Sequence, residues 1–314
     1  MMTTAVVIES PERLSLKRLE LMPPGAADVV VDVDWSGIST GTERLLWSGQ
    51  MPPFPGLGYP LVPGYESVGR VIEAGANSGR AVGEQVFVPG AACFGEVRGL
   101  FGGTAQRVVI PGRRALPIAR ELAAEGVLLA LTATAHHALK PHPDTSVLPD
   151  LVVGHGVLGR IVARLVIALG GAPPVVWESN PARHGGAIGY PVAHPDDDDR
   201  HDYRCICDVS GDSALLNSLI SRLAKGGEIV LAGFYSQPLS FDFPPAFMRE
   251  ARIRIAAEWQ PGDLQAVTGL LDAAAISLDG LITHRLPAAR AEEAYRTAFF
   301  DATCLKMILD WRDS

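Results

Sequence analysis

The stretch Leu151-Val-Val-Gly154-His155-Gly156-Val157-Leu158-Gly159 is an apolar strand running into a glycine turn and then a helix, and Glu178 closes the next apolar run. A glycine triplet alone is a weak signal. With a strand before it, a helix after it and an acid at the end of the following strand, it becomes specific for dinucleotide binding. Gly154 permits the turn, Gly156 lets backbone N–H groups approach a pyrophosphate, and Gly159 lets the helix pack on the strand, so that phosphates sit at the positive helix N-terminus. Val157 and Leu158 supply the first helical N–H groups. His155, between the glycines, is expected either to lie near the pyrophosphate or nicotinamide side or merely to fill the turn. Glu178 is expected to accept hydrogen bonds from both ribose hydroxyls and to repel a 2′-phosphate, which favours NAD over NADP. Arg183 is a counter-signal, since it could meet a 2′-phosphate or simply lie on the surface.

The periodicity around this motif sets the architecture. From about Glu125, apolar strands alternate with helical segments, and strands are expected near Leu151 to Val153, Val175 to Glu178, Pro191 to His194, Arg204 to Val209, Glu228 to Gly233 and Arg252 to Ala257. Six parallel strands with crossover helices make a doubly wound sheet. Ser210 after the fourth strand and Ala232, Gly233 and Tyr235 after the fifth are expected to approach the adenine and nicotinamide sides respectively. The first ~120 residues are instead rich in Gly and Pro, with short β-branched runs at Asp28 to Val33, Ser67 to Glu73, Gln85 to Pro89 and Ala105 to Ile110, which reads as an antiparallel, barrel-like lobe. A helix over Gly262 to Ala275, the segment Leu281 to Pro287, a helix over Ala288 to Phe300 and a strand over Cys304 to Trp311 follow, the last three returning to the first lobe. The expected fold is α/β: a β-rich catalytic domain, residues 1–124 and 276–314, and a Rossmann domain, residues 125–275.

Composition excludes several classes. With 47% hydrophobic and 20% charged residues among 314, the chain can bury enough apolar surface to fold. The net charge of −8, with no basic cluster, gives nucleic acid nothing to grip. The longest apolar runs, Gly126 to Leu131 and Ile161 to Leu169, fall short of the ~20 residues that cross a bilayer, and Met1 to Glu9 lacks a secretory pattern, so the cytoplasm is the default expectation. Cys93, Cys205, Cys207 and Cys304 are too scattered for a disulfide framework and read as reduced core thiols. The run Asp196 to Asp199 has no ligand spacing and reads as a solvated loop.

Gly37-Ile-Ser-Thr-Gly-Thr-Glu43, Pro63-Gly-Tyr-Glu-Ser-Val-Gly69, Val82-Gly-Glu-Gln-Val86, Gly102-Gly-Thr-Ala-Gln106 and Leu281-Ile-Thr-His284, with the lobe order above, are similar to the medium-chain alcohol dehydrogenases and reductases. The resemblance covers essentially the whole chain. Zinc members of that family carry a cysteine where this chain offers Ser39 or Thr40, and a histidine where it offers Tyr65, with Glu66 retained. A hydroxyl and a phenol are poor Zn²⁺ ligands, so the resemblance is to the zinc-less branch and no metal is expected. Without a Lewis acid, oxidation of an alcohol needs a protein base or a proton relay. Thr42 matches the family's hydroxyl relay residue, and Ser39, Tyr65 and Glu66 occupy the floor where zinc would sit. Tyr65 would need a lowered pKa to act as a base, or else it merely packs. His136 and His137 lie on the helix leading into the sheet, and one of them could face the cleft.

Within the family, Gly37 to Glu43, Trp47-Ser-Gly-Gln50, Pro52-Pro-Phe-Pro-Gly-Leu-Gly-Tyr-Pro60 and Leu61 to Glu66 resemble the chlorophyll-pathway dehydrogenases of phototrophic bacteria. The resemblance implies a tetrapyrrole substrate, a bacteriochlorophyllide whose 1-hydroxyethyl group is oxidised to acetyl. Trp47, Phe54 and Tyr59 are expected to form a flat stacking wall for the macrocycle, although such a loop could equally be a dimer contact or plain packing. A homodimer joined along Arg252 to Ala257 is also implied. Two other readings stay open: a zinc-independent quinone or enone reductase, and a catalytically silent dinucleotide sensor.

Overall fold

A computed structural model describes residues 1–140 and 147–312. The chain divides into two compact units, Met1–Ala130 with Asp279–Ser314, and Leu131–Leu278. The sequence reading sets these boundaries at 124/125 and 275/276.

In the first unit, the eleven-residue strand Asp28–Ile38 organises a seven-stranded sheet. Its valines at 29, 30 and 31 are fully buried, and it pairs antiparallel with Ser67–Ala74, Arg107–Pro111 and Lys306–Asp310. A second, four-stranded sheet is built on the hairpin Met2–Ser10 with Arg13–Glu20. The sequence reading places no strand before Asp28. Ala5 to Ile8 are four consecutive buried residues, so this strand lacks the period-two alternation that marks a half-exposed one. Two pairs in this unit run parallel, Ile282–Pro287 with Lys306–Asp310 and Leu61–Val62 with Arg98–Gly99, so the lobe is not wholly antiparallel. Helical structure over Arg120–Leu139 is interrupted at Ala123, where φ is 44°. Among the described residues this is the one stretch long and apolar enough to cross a membrane, and most of it is buried within the protein.

The second unit carries six strands in the order Val192–Ala193, Val175–Trp177, Leu151–Val153, Tyr203–Asp208, Leu223–Leu231, Arg252–Ile255. Every neighbouring pair is parallel. The order of strands reverses at Leu151–Val153, the position at which open sheets of this kind bind ligands beyond their strand ends. Leu151, Ile206, Ile229 and Leu231 pack against Leu216, Leu219 and Ile220 of the helix Leu216–Arg222. The acidic run departs from a purely solvated loop. Asp198 accepts hydrogen bonds from Trp177 Nε1 at 2.7 Å and from the Tyr203 hydroxyl at 2.5 Å, and so ties two strands together, while Asp196, Asp197 and Asp199 face solvent. All four cysteines are free and buried.

The last strand closes the first unit through Trp311, whose Nε1 donates to Ser36 Oγ at 2.9 Å with the ring 2% exposed. Trp311→Ala should cost about 3–5 kcal/mol, read as a fall in the urea midpoint at unchanged slope.

Candidate active site

In the second unit, the glycine turn follows Leu151–Val153 and the helix Val157–Ala168 starts from Gly156 with no side chain capping its first turn. The N–H groups of Val157 and Leu158 belong to the orphan donors of a helix start, where an anion is stabilised. A Cβ on Gly159 would lie 1.8 Å from the Gly154 carbonyl oxygen, so only glycine lets helix and turn close to this distance.

Glu178, 9% exposed, accepts hydrogen bonds from the backbone N–H of Asn180 at 2.8 Å and of His155 at 3.2 Å. His155 does not turn its ring outward. It is fully buried, with Nδ1 2.6 Å from the Arg183 carbonyl and Nε2 3.0 Å from the Tyr190 hydroxyl. Arg160, also buried, donates to the carbonyls of His155, Arg183 and Gly185. His155 and the Arg183 backbone thus belong to a network that fixes the loop after Glu178, which corrects a direct cofactor role for the imidazole. Burial holds the His155 ring to a pKa of about 4, with the nearby Arg160 adding to that shift.

Ser210, Ala232, Gly233 and Tyr235 converge on Asp208, a residue the sequence reading missed. Its carboxylate, 1% exposed, accepts from Ser210 N and Oγ at 2.9 and 2.7 Å. Its carbonyl accepts from the N–H groups of Ala232 and Gly233 and, at 3.4 Å, from the Tyr235 hydroxyl. The signal was present in Cys205-Ile-Cys-Asp208, an acid ending an otherwise apolar strand. His136 is also corrected. Its Nδ1 lies 2.7 Å from Asp263 Oδ1, while Asp263 Oδ2 meets His137 Nδ1 at 2.9 Å and Lys140 Nζ approaches Oδ1 at 2.7 Å. The pair of imidazoles is a latch between two helices of the second unit.

In the first unit, three of the expected residues come together. The Ser39 and Tyr65 hydroxyls are 2.6 Å apart, and Thr42 Oγ1 lies 3.5 Å from the same phenol oxygen. Phe101, missed from the sequence, holds the Tyr65 ring edge-on at 5.2 Å. Burial, with the Glu66 charge beside it, pushes the Tyr65 pKa above its ordinary value, so a standing phenolate base is ruled out. Glu66 lies beneath, fully buried, its Oε2 2.7 Å from Lys306 Nζ. Lys306, 2% exposed, also donates to the Ile38 carbonyl. A Cβ on Gly37 would come within 2.3 Å of Glu66 Oε2, so this carboxylate needs a glycine opposite. Glu66 is therefore committed to an ion pair and does not act as a free acid or base. A lone lysine in Cys304-Leu-Lys-Met-Ile-Leu-Asp-Trp311 was the available hint, since a buried ammonium demands a carboxylate.

The aromatic wall is also revised. Trp47 packs on Phe299 and Phe300, both at 5.7 Å, and the Tyr59 hydroxyl donates to the Leu46 carbonyl. Phe54, 36% exposed, keeps its ring toward solvent. A zinc ion does not fit the floor. Ser39 and Tyr65 offer hydroxyl oxygens bonded to each other, Glu66 is held by Lys306, and no group of three or more His, Cys, Asp or Glu converges among the described residues.

Two outcomes follow from these buried groups. Lys306→Met should cost about 3–5 kcal/mol in urea unfolding by stranding the Glu66 charge, with much of the loss recovered in a Glu66→Gln/Lys306→Met double variant. For His155 the folded pKa lies below the unfolded value, so its contribution is present above about pH 6.5 and lost as pH falls towards about 4. Stability should drop by up to about 3 kcal/mol across that window, and His155→Gln should remove this part of the slope.

Residues 25–120 match the alcohol dehydrogenase GroES-like domain. The chain is 56% identical, over the full length of both proteins, to the 2-desacetyl-2-hydroxyethyl bacteriochlorophyllide A dehydrogenase of Rhodobacter capsulatus. It is 58% identical to the protein of the same name from Cereibacter sphaeroides, with 99% of each covered. Among solved structures, acetophenone reductase from Geotrichum candidum in complex with NAD superposes with a TM-score of 0.84 at 18% identity, covering all of this chain and 98% of the other. Identity at this level over whole chains places the protein in one family: it belongs with the 2-desacetyl-2-hydroxyethyl bacteriochlorophyllide A dehydrogenases, within the nicotinamide-dependent medium-chain dehydrogenases and reductases.

Proposed function

We propose that this protein oxidises the 1-hydroxyethyl group of a bacteriochlorophyllide to acetyl, with NAD⁺ as the hydride acceptor and without a metal. The observation that carries this reading is the full-length identity of 56% and 58% to two dehydrogenases named for that pigment. The polar groups in the second unit fit a dinucleotide: the N–H groups of the helix start at Val157 and Leu158 donate to the pyrophosphate, and the Glu178 carboxylate accepts from the adenosine ribose hydroxyls. Two backbone N–H groups hold Glu178 in place, and its charge would repel a 2′-phosphate there, which favours NAD over NADP.

Bound nicotinamide supplies the hydride acceptor; the chain's own residues handle the proton. Tyr65 stays a neutral phenol and works by exchange. Its oxygen takes the alcohol proton as its own proton passes to Ser39 Oγ, 2.6 Å away, and the Ser39 hydroxyl releases its proton to solvent in the same exchange, while Thr42 flanks the phenol oxygen. The carbon loses hydride, the oxygen loses a proton, and a ketone remains. A carbinol attached to a conjugated macrocycle gives up hydride more readily than a simple alcohol, which lowers the demand for a Lewis acid.

The second unit also fits a homodimer. Its edge strand Arg252–Ile255 is unpaired on one side, Ile255 is 75% exposed, and Phe243, Phe247 and Met248 nearby are each about two-thirds exposed.

The test is to incubate chelator-treated protein with NAD⁺ and the hydroxyethyl bacteriochlorophyllide while following the pigment's long-wavelength band and NADH together. A red shift matched by NADH is expected. Tyr65→Phe should lower kcat by about 10²-fold or more with NAD affinity unchanged. NAD binding without pigment turnover would overturn the assignment in favour of a quinone-type reductase or a silent sensor.

A further inference from the structure

Glu43 lies behind the Ser39–Tyr65 pair, one residue beyond Thr42 on the helix Thr42–Ser48, and is fully buried. Both of its oxygens are engaged. Oε1 accepts the Ser39 backbone N–H at 3.0 Å, and Oε2 accepts the Tyr295 hydroxyl at 2.5 Å. Tyr295, 1% exposed, arrives from the helix Ala291–Phe300 near the other end of the chain. The proton path proposed above uses neither side chain. We infer that Glu43 is a positioning residue for this reaction: as a carboxylate it pins the Ser39 backbone, and with it the hydroxyl that meets Tyr65, while Tyr295 braces it from behind.

The brace has a definite charge requirement. Both partners are donors, and the ionised carboxylate accepts from both more strongly than the neutral acid, whose protonated oxygen is the weaker acceptor. A backbone N–H cannot reverse its role, so a proton added to Glu43 goes to Oε2, where it weakens the hydrogen bond from Tyr295 or turns that hydroxyl into the acceptor. Four groups besides Ser39 bear on this choice: Glu66 below, Lys306 on the last strand, Tyr65 in front and Tyr295 behind. Burial favours the neutral acid and the Glu66 charge adds to that, while the Ser39 N–H, the Tyr295 hydroxyl and the Lys306 ammonium favour the anion. These influences leave Glu43 with a pKa pushed up to about 7. The brace is therefore assembled above neutrality and relaxed below it. Tyr65, held above its ordinary range, adds no step in that interval.

This inference rests on the alcohol oxidation proposed above, and the experiment separates the two. Pigment turnover is measured from about pH 6 to 8.5 for wild type, Glu43→Gln and Tyr295→Phe, with melting temperature and NAD affinity recorded for each. In wild type, kcat should rise through a single step near neutrality. Glu43→Gln should lose that step and about tenfold in kcat at the plateau while the KM for NAD stays put, which a general loss of stability would not produce. Tyr295→Phe removes a donor to the carboxylate, so the step should move up by about one pH unit. Infrared difference spectra of the free protein give a second reading, a carboxyl band that titrates near neutrality and is absent in Glu43→Gln. Wild type that leaves pigment and NAD⁺ unchanged refutes the reaction and the brace with it. Wild type that turns over with a pH step untouched by either substitution refutes the brace alone. If Glu43→Gln does not accumulate as folded protein, the position of the step in Tyr295→Phe decides.

Discussion

The ammonium of Lys306 and the carboxylate of Glu66 meet at 2.7 Å where neither side chain reaches water. Burying two charges is costly, and their attraction offsets the loss only if geometry and further hydrogen bonds are good. Here Ile38 gives a carbonyl to the ammonium and Gly37 leaves room for the carboxylate, whose other oxygen, Oε1, is buried without a hydrogen-bond partner among the described residues, so the carboxylate depends on Lys306. The motif around Gly37, the Pro63 to Gly69 motif and the last strand are thereby held in one register. Ser39 and Tyr65 sit directly on that platform, so the electrostatics of the floor fix the geometry of their paired hydroxyls.

The second unit solves its positioning problem with different chemistry. Beside its glycine turn the buried cationic and imidazole groups, Arg160 and His155, are met by backbone carbonyls, and the buried carboxylates of Glu178 and Asp208 are met by backbone N–H groups and a hydroxyl. His155 and Arg160 together secure the glycine turn and the uncapped helix start beyond it, and Asp208 gathers the two loops beyond the fourth and fifth strands. A preorganised cradle of this kind needs little rearrangement when a dinucleotide arrives.

How much of this could be read from the sequence depended on the range of the interaction. Six parallel strands and the glycine turn announced themselves through local period and residue type. The Met2–Ser10 strand did not, because a strand buried on both faces shows no alternation. Ser39, Thr42 and Tyr65 were found from motifs, and the structure brings them together. Their supports were out of reach, since Glu43 meets a tyrosine 252 positions away and Glu66 a lysine 240 away. Electrostatic character was the least legible: Tyr65 was considered as a base needing a lowered pKa, whereas its burial raises it. For His155 and Trp47 the residue type suggested a ligand contact, and packing within the unit claimed the side chains instead.

The last strand carries a consequence for how the molecule is made. The first unit is split in sequence, with Lys306–Asp310 inserted beside Asp28–Ile38 while residues 131–278 form the other unit without interruption. During synthesis, the nucleotide-binding unit emerges whole before the first unit has received its final strand. Until Lys306 leaves the ribosome, Glu66 has no counter-charge and the floor beneath Ser39 and Tyr65 cannot assemble. A chain that has emerged only as far as residue 278 can thus fold its second unit while Ser39 and Tyr65 still lack the platform on which they sit.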